Sequence, residues 1–369
     1  MQTVIAPGRV NLIGEHIDYH LLPVLPMAIG QRVTVRFEVA TGARITAVSL
    51  DGFAPREFEW RREIEPYAAG DWGNYLKAAA QAVALRWGVH RGIDAEVTGN
   101  IPPAAGLSSS SALLVAFTLA LLRANGIEAT IEELMEILPD GEQYVGTRGG
   151  GMDHASSLAG EEGCALEIHF DPFHVRPIRI PADWGFLCAH SRRMAEKSSD
   201  VREEYNQRRF AGQRALRALG FDRYADVTDE SVASRLSDPL ERRCFLHVVT
   251  EARRVREAIG AMETGDASAF GRILNEGHRS LRDGLQVSCA ELDRLTECAL
   301  QAGALGARLT GAGFGGCAIV FAPREELAGV KQKLVDLFYG GDGGHVFEVV
   351  PSAGALAMAG GTSAGSSHP

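Results

Sequence analysis

The densest chemistry in the chain lies in residues 6 to 19, APGRVNLIGEHIDY. Arg9 precedes an apolar segment (Val10, Leu12, Ile13), and Glu15, His16 and Asp18 follow it closely. Gly8 and Gly14 bracket the segment, so the backbone is expected to pass through a core between two turns. Burying that many polar groups beside an apolar strand is costly unless something satisfies them. A polyhydroxylated ligand does so, because carboxylates accept from hydroxyls and imidazole does either. Read alone, the run fits a capped turn with a surface ion pair about equally well.

A second stretch, PPAAGLSSSSALL (Pro102 to Leu114), places Gly106 and a run of serines ahead of an apolar helix. Unpaired amides and the macrodipole at a helix start attract anions, and a serine hydroxyl there can reach a Mg²⁺ that bridges phosphates. Capping needs one serine, and four in a row favour phosphate over a capped core helix. A third stretch, GTRGGGMDH (Gly146 to His154), lets the backbone approach a ligand and then supplies Asp153 as a potential general base. By itself this is a flexible loop ending in an N-cap aspartate. It gains weight if Asp153 meets Arg9, whose charge would hold the carboxylate ionised. A fourth stretch, LTGAGFGGCAIVF (Leu309 to Phe321), matches the dinucleotide fingerprint in Gly311, Gly313 and Gly316. That fingerprint must open a helix, whereas CAIVF reads as a strand, so a tight loop packed near phosphates or another backbone is expected instead.

The elements that must position these loops follow from periodicity. Strands are expected at Arg32 to Val39, Arg44 to Val48, Ile93 to Val97, Cys164 to His169, Phe186 to Ala189, Cys317 to Phe321 and Val346 to Val350. Helical spacing runs from Asp71, a candidate N-cap, to Val89 and from Ser108 to Arg123. It recurs from Thr130 to Leu138, where Pro139 should stop it, and through most of Ser198 to Ser288, Ala290 to Gln301 and Glu325 to Phe338. This order suggests two α+β lobes with a boundary near 170 to 185, and it does not suit a doubly wound sheet. Residues 359–369, rich in Gly, Ser and Thr, are expected to be disordered.

Composition narrows the classes. The chain has 369 residues and a formal charge of −10, which argues against non-specific nucleic-acid or anionic-membrane binding. None of its four lysines (Lys77, Lys197, Lys331, Lys333) follows a glycine, so the usual P-loop is absent. Six cysteines without a C-x-x-C pair read as free thiols, mostly buried, in a reducing compartment. With no signal-peptide pattern and no apolar run of spanning length, a cytoplasmic protein is expected.

The second, third and fourth of these stretches, in this order, resemble the three motifs of the GHMP sugar and metabolite kinases. GRVNLIGEHIDY followed by VLPMAI is similar to the sugar-binding signature of the galactokinase family. The likeness continues through WGNY, EEYNQRR, HVVTEARRV, GHRSLRD and PSAGA, and so covers nearly the whole chain. It implies an α+β, two-lobed fold: a first lobe (1–175) with a left-handed β-α-β unit, a ferredoxin-like second lobe (176–358), and an active site in the cleft between them. The implied reaction transfers the ATP γ-phosphoryl to the anomeric hydroxyl of galactose. The resemblance makes Arg9 and Asp153 the catalytic pair and Glu15, His16, Asp18, Gly150 and Tyr205 the sugar site. It assigns Trp72 and Tyr75 to adenine and Gly106, Leu107, Ser108, Ser109 and Ser110 to phosphate. Mg²⁺ falls to Ser110 or Ser109, with Glu142 as the nearest acidic partner, one position off the family spacing. The partners implied are ATP and a galactose-type hexose, in a monomer or weak homo-oligomer.

Several positions depart from the family. Ile17 stands for the usual Thr, HLLP (20–23) for a turn with Asn and Gly, and Ala104, Ser111, GGGMD and His154 also differ. Most of these, His154 excepted, are similar to the N-acetylgalactosamine kinase branch, which makes that sugar the rival substrate. Family members carry an extra segment before APGR, so a short version or a misplaced start is expected here. A non-catalytic sugar sensor would have a shortened phosphate loop, which this chain does not.

Overall fold

In the computed structural model, residues 1–102, 105–144, 150–194 and 199–360 are described, without the side chains of 142–143, 199–202 and 359–360. The first half opens with β1 (Gln2–Ile13), β2 (Leu25–Val39), β3 (Arg44–Ser49) and β4 (Arg56–Glu59), followed by helix α1 (Gly73–Trp87) and β5 (Ile93–Gly99). These strands form one sheet in the order β1-β2-β5-β3-β4. Only β3 and β5 pair in parallel, and α1 lies in the connection between them, which makes the β-α-β unit. Val33, Val35 and Phe37 are buried while the residues between them are not, the alternation of a half-buried strand.

Helices α2 (Ser109–Ala124), α3 (Ile131–Tyr144) and α4 (Met152–Ala159) follow. Helix α2 is apolar nearly all round and packs against β1, β2 and α1, so it is a core helix with its N-terminus at the cleft. Pro139 does not end α3, which runs on to Tyr144. Proline removes one N–H, but the helix face bearing Leu134 and Leu138 is fully buried against α1 and α4, and that packing carries the last turn. The first helix begins after Asp71, which accepts from the Gly73 amide and from Arg56.

A hairpin, β6 (Cys164–Phe170) and β7 (Phe173–Arg179), leads to β8 (Trp184–His190) and the long helices α5 (Ser199–Ala218), α6 (Pro239–Thr264) and α7 (Ala267–Arg279). Then come α8 (Ala290–Gln301), β9 (Gly306–Leu309), β10 (Cys317–Pro323), α9 (Leu327–Leu334), β11 (Val346–Val349) and α10 (Ala355–Gly360). The second sheet is antiparallel in the order β11-β8-β10-β9, the 4-1-3-2 arrangement of a ferredoxin-like unit. Its central strands are buried on both faces. Phe186, Ile319 and Phe321 face one core and Leu187, Ala318 and Val320 the other, which explains the unbroken apolar runs. The chain then returns to the first sheet: Pro351 bridges Ile29, and α10 packs on β1 and α4. Of the tail expected to be disordered, 359–360 close α10, and 361–369 lie outside the described residues. All six cysteines are free and only Cys289 is not fully buried.

Candidate active site

Three backbone contacts bring the loops together. A Cβ on Gly8 would lie 2.7 Å from the Leu107 carbonyl, and one on Gly311 would lie 3.0 Å from the Gly106 carbonyl. The Arg9 amide donates to Leu107 O at 3.2 Å. Glycine is thus required where β1, the serine loop and the Gly311 loop touch, and Gly311 also has φ +87°. The fourth stretch therefore packs against the serine loop's backbone and continues into β10 as a strand.

Arg9 connects two of these loops through its side chain. Its Nε and Nη2 lie 2.8 and 2.6 Å from Asp153 Oδ1, and its Nη1 donates to the Gly106 carbonyl at 2.8 Å. Ser108 Oγ donates to the other carboxylate oxygen of Asp153 at 2.5 Å. Burial alone would raise the Asp153 pKa; the Arg9 charge and the Ser108 hydroxyl outweigh it and hold the group below its ordinary value. Ser108 makes no capping bond to α2, so it belongs to the carboxylate rather than to the helix.

The GEHID turn forms the opposite wall. Asp18 Oδ2 accepts from the Gly150 amide at 3.0 Å, and any Cβ at Gly150 would lie 2.4 Å from the Asp18 backbone. Burial, and then the nearby Asp153 charge, push Asp18 up to about 6. Glu15 is buried and, despite Arg308, is pushed up to about 7. His16 has both ring nitrogens engaged, with Tyr19 Oη at 2.9 Å and the Ala312 carbonyl at 3.0 Å. Burial holds it neutral, down to about 3, so Nε2 donates to the carbonyl and Nδ1 accepts from the tyrosine. In this arrangement His16 offers the cavity its ring, which lies 5.1 Å from the Tyr205 ring.

One cavity of about 760 Å³ joins these features. Arg9, Glu15, His16, Asp18, Gly150, Asp153 and Tyr205 line one part of it. Gly106, Leu107, Ser108, Ser109 and Ser110 line it too, so the N-terminus of the 16-residue α2 faces any bound anion there. Trp72 and Tyr75, with Phe53, line it as well, and the Trp72 indole is fixed by a 2.9 Å bond to Ala54 O. The side chain of Glu142 and the segment 145–149 lie outside the described residues.

Two sequence departures lie away from this cavity. Ile17 is fully buried in the core, and His20 and Leu21 line a separate pocket beside α5. These departures therefore do not shape the wall of this cavity: His16 and Leu21 stand in the left-handed backbone region, and the Ile17 side chain lies in the core. Behind the turn stand residues the sequence reading did not single out. Arg308, Glu251 and His247 contact Glu15 or Gly14 from β9 and α6. An arginine inside the apolar run GARLTG was the available signal.

Comparison with known proteins agrees with this geometry. The galactokinase galactose-binding signature matches residues 2–38, the GHMP kinases N terminal domain 74–161 and the GHMP kinases C terminal model 258–340. A galactokinase of Streptomyces coelicolor is 36% identical over 364 residues, covering 95% of this chain and 92% of its own. This chain belongs to the galactokinase family. A Roseiflexus galactokinase is 34% identical over 353 residues, covering 92% of this chain and 88% of its own. The crystal structure of Lactococcus lactis galactokinase complexed with galactose superposes with a TM-score of 0.87 at 26% identity, over 96% of this chain and 94% of that one. The crystal structure of L. major mevalonate kinase in complex with R-mevalonate shares the fold, with a TM-score of 0.67 at 20% identity, over 96% of this chain and 97% of that one.

A kinase of this family uses ATP, and the donor set here fits a Mg²⁺ companion. Serine hydroxyls at the α2 start are hard oxygens, suited to an ion that takes most ligands from phosphate and water. No helix among the described residues is long and apolar enough to cross a membrane.

Proposed function

We propose that this chain transfers the γ-phosphoryl group of ATP to the anomeric hydroxyl of galactose, giving galactose 1-phosphate and ADP. The observation that carries the reading is the Arg9–Asp153–Ser108 assembly, set between the GEHID turn and the α2 N-terminus in one cavity. The sugar lies against Glu15, Asp18, Gly150 and Tyr205, its hydroxyls donating to the carboxylates. ATP lies along the serine loop with adenine toward Trp72 and Tyr75.

In the chemical step the anomeric oxygen forms a bond to the γ-phosphorus as the bond to the β,γ-bridging oxygen breaks. Asp153, held ionised by Arg9 and Ser108, accepts the anomeric O–H and fixes the direction of attack. A carboxylate below its ordinary pKa is a weak base, so it orients the hydroxyl first and receives the proton as the new bond forms. Arg9 stabilises charge developing on the transferred group. Ser109 or Ser110 would hold a Mg²⁺ ion, which would supply further charge neutralisation.

Galactose is preferred to N-acetylgalactosamine because the galactokinase galactose-binding signature matches residues 2–38, and Ile17, one of the residues similar to the acetamido-sugar branch, lies outside the cavity lining. The proposal includes a cytoplasmic location and a monomer or weak homo-oligomer. An ADP-release assay with Mg²⁺-ATP across galactose, N-acetylgalactosamine, glucose and arabinose tests it. Galactose is expected to give the highest kcat/KM. Turnover on no sugar would remove the kinase reading, and preference for N-acetylgalactosamine would change the substrate.

A further inference from the structure

The wall of the cavity formed by residues 14–18 is held from behind by a buried ionic cluster. Arg308, on β9, is fully buried. Its Nη2 donates to Glu15 Oε2 and, at 2.8 Å, to Glu251 Oε1. Glu251, on α6, also accepts from the Gly14 amide at 3.0 Å and from Arg254 Nε at 2.8 Å. One turn earlier on α6, His247 Nε2 lies 3.0 Å from the Glu15 carbonyl. The guanidinium fits because α7 presents Gly277, where a Cβ would lie only 2.4 Å from Arg308 Nη1.

This cluster leaves one oxygen unused. Glu15 Oε1 is buried and has no hydrogen-bond partner among the described residues, yet Glu15 lines the cavity. A buried carboxylate oxygen without a donor is costly, and a ligand hydroxyl supplies one. We propose that Arg308 is a positioning residue for sugar binding, fixing the Glu15 carboxylate through Oε2 so that Oε1 receives a hydroxyl of the hexose. The inference rests on the galactokinase reading and adds to it a residue that does not itself touch the ligand.

The charged groups facing Glu15 are Arg308 from β9, Glu251 from α6 and Arg9 from β1, with His247 of α6 at its carbonyl. Arg308 and Arg9 favour the ionised form, and Glu251 opposes it. An ionised Glu15 accepts a hydroxyl at Oε1 while Arg308 holds Oε2, so affinity for the sugar falls as pH drops through about 7. Loss of Arg308 removes a charge that favours ionisation and moves that limb to higher pH.

Steady-state kinetics for galactose and ATP test this in wild type, Arg308→Met, Arg308→Lys, Glu15→Gln and the double variant Glu15→Gln/Arg308→Met. Arg308→Met is expected to raise KM for galactose by about 10- to 100-fold, the range for a hydrogen bond to a charged group. KM for ATP should change by less than about threefold, and the acid limb of the galactose KM profile should shift upward. Arg308→Lys should recover part of the loss. In the Glu15→Gln background the Met substitution should add little to the galactose KM because, of the two carboxylates Arg308 holds, only that of Glu15 lines the cavity. Full additivity, or an unmoved pH limb, overturns the inference. Should Arg308→Met not fold, Gly277→Ala decides: it displaces the guanidinium while keeping every charge, and an unchanged galactose KM sinks the proposal. A wild-type protein that phosphorylates no sugar fails the functional reading instead, before any variant is compared.

Discussion

Ser108 stands in the left-handed backbone region, φ 59°, and donates its hydroxyl to Asp153 at 2.5 Å, both residues lining the cavity. The first serine of the loop is therefore committed by its side chain to the carboxylate, while the loop as a whole still presents the α2 N-terminus to the cavity. Ser108→Ala removes one charge-assisted bond and a group that lowers the Asp153 pKa. We expect kcat to fall about tenfold with the galactose KM little changed. The acid limb of the kcat profile should move up, because the ionised form loses a stabilising donor. Rate profiles between about pH 4 and 8 check this against the reference carboxylate range.

Asp153→Asn keeps the size of the side chain and a carbonyl oxygen for Arg9 but removes the charge. Turnover is expected to fall by about 10²-fold or more, as for loss of a general base, while galactose binding measured by calorimetry persists. Near-normal turnover would show that the carboxylate has no chemical part in the step.

Much of this site was legible locally. Glycines with serines ahead of an apolar helix, and polar residues after an apolar strand, are short-range signals whose physics does not depend on the rest of the chain. What joins them is not local: Arg9 and Asp153 are 144 positions apart, and their contact was a condition placed on the sequence, met only in the fold. The Arg308–Glu251 support was hidden because a buried arginine within GARLTG carries no period and its partners lie in the turn after β1 and on α6. Ile17 misled for a geometric reason. It sits between two cavity residues, but the backbone of the turn, with His16 at φ 64°, directs its side chain into the core. Pro139 misled because a missing N–H is a local cost and the burial of α3 is a tertiary gain.

Gly150→Ala tests the contact between the Gly-Asp loop and the GEHID turn. The added Cβ would lie 2.4 Å from the Asp18 carbonyl carbon and 2.6 Å from Asp18 Cγ, so the backbone or Asp18 must shift. Galactose KM should rise by about tenfold or more, since a displaced carboxylate loses a charge-assisted bond to the sugar. The ATP KM, read in the same assay, should be much less affected because the added Cβ meets Asp18 and Tyr19 first, not the residues assigned to ATP.

Asp18 gives a stability prediction with a definite sign. Burial and the Asp153 charge raise it to about 6 in the folded chain, above the roughly 3.9 of an unfolded aspartate. The folded state therefore binds the proton more tightly. That contribution is fully present below about pH 3.9 and is lost as pH rises through about 6. Above that window the ionised group is held at a cost relative to a neutral one. Asp18→Asn removes the charge while its amide oxygen can still accept from Gly150. The variant should melt higher than wild type at pH 8, by about 2–4 °C, with the difference shrinking toward zero near pH 4. Its galactose KM should rise sharply, because the group that costs stability in the empty site is an acceptor for the sugar. Melting curves at the two pH values, paired with kinetics, check both halves; a variant less stable at pH 8 would show that the buried charge is compensated in the folded protein.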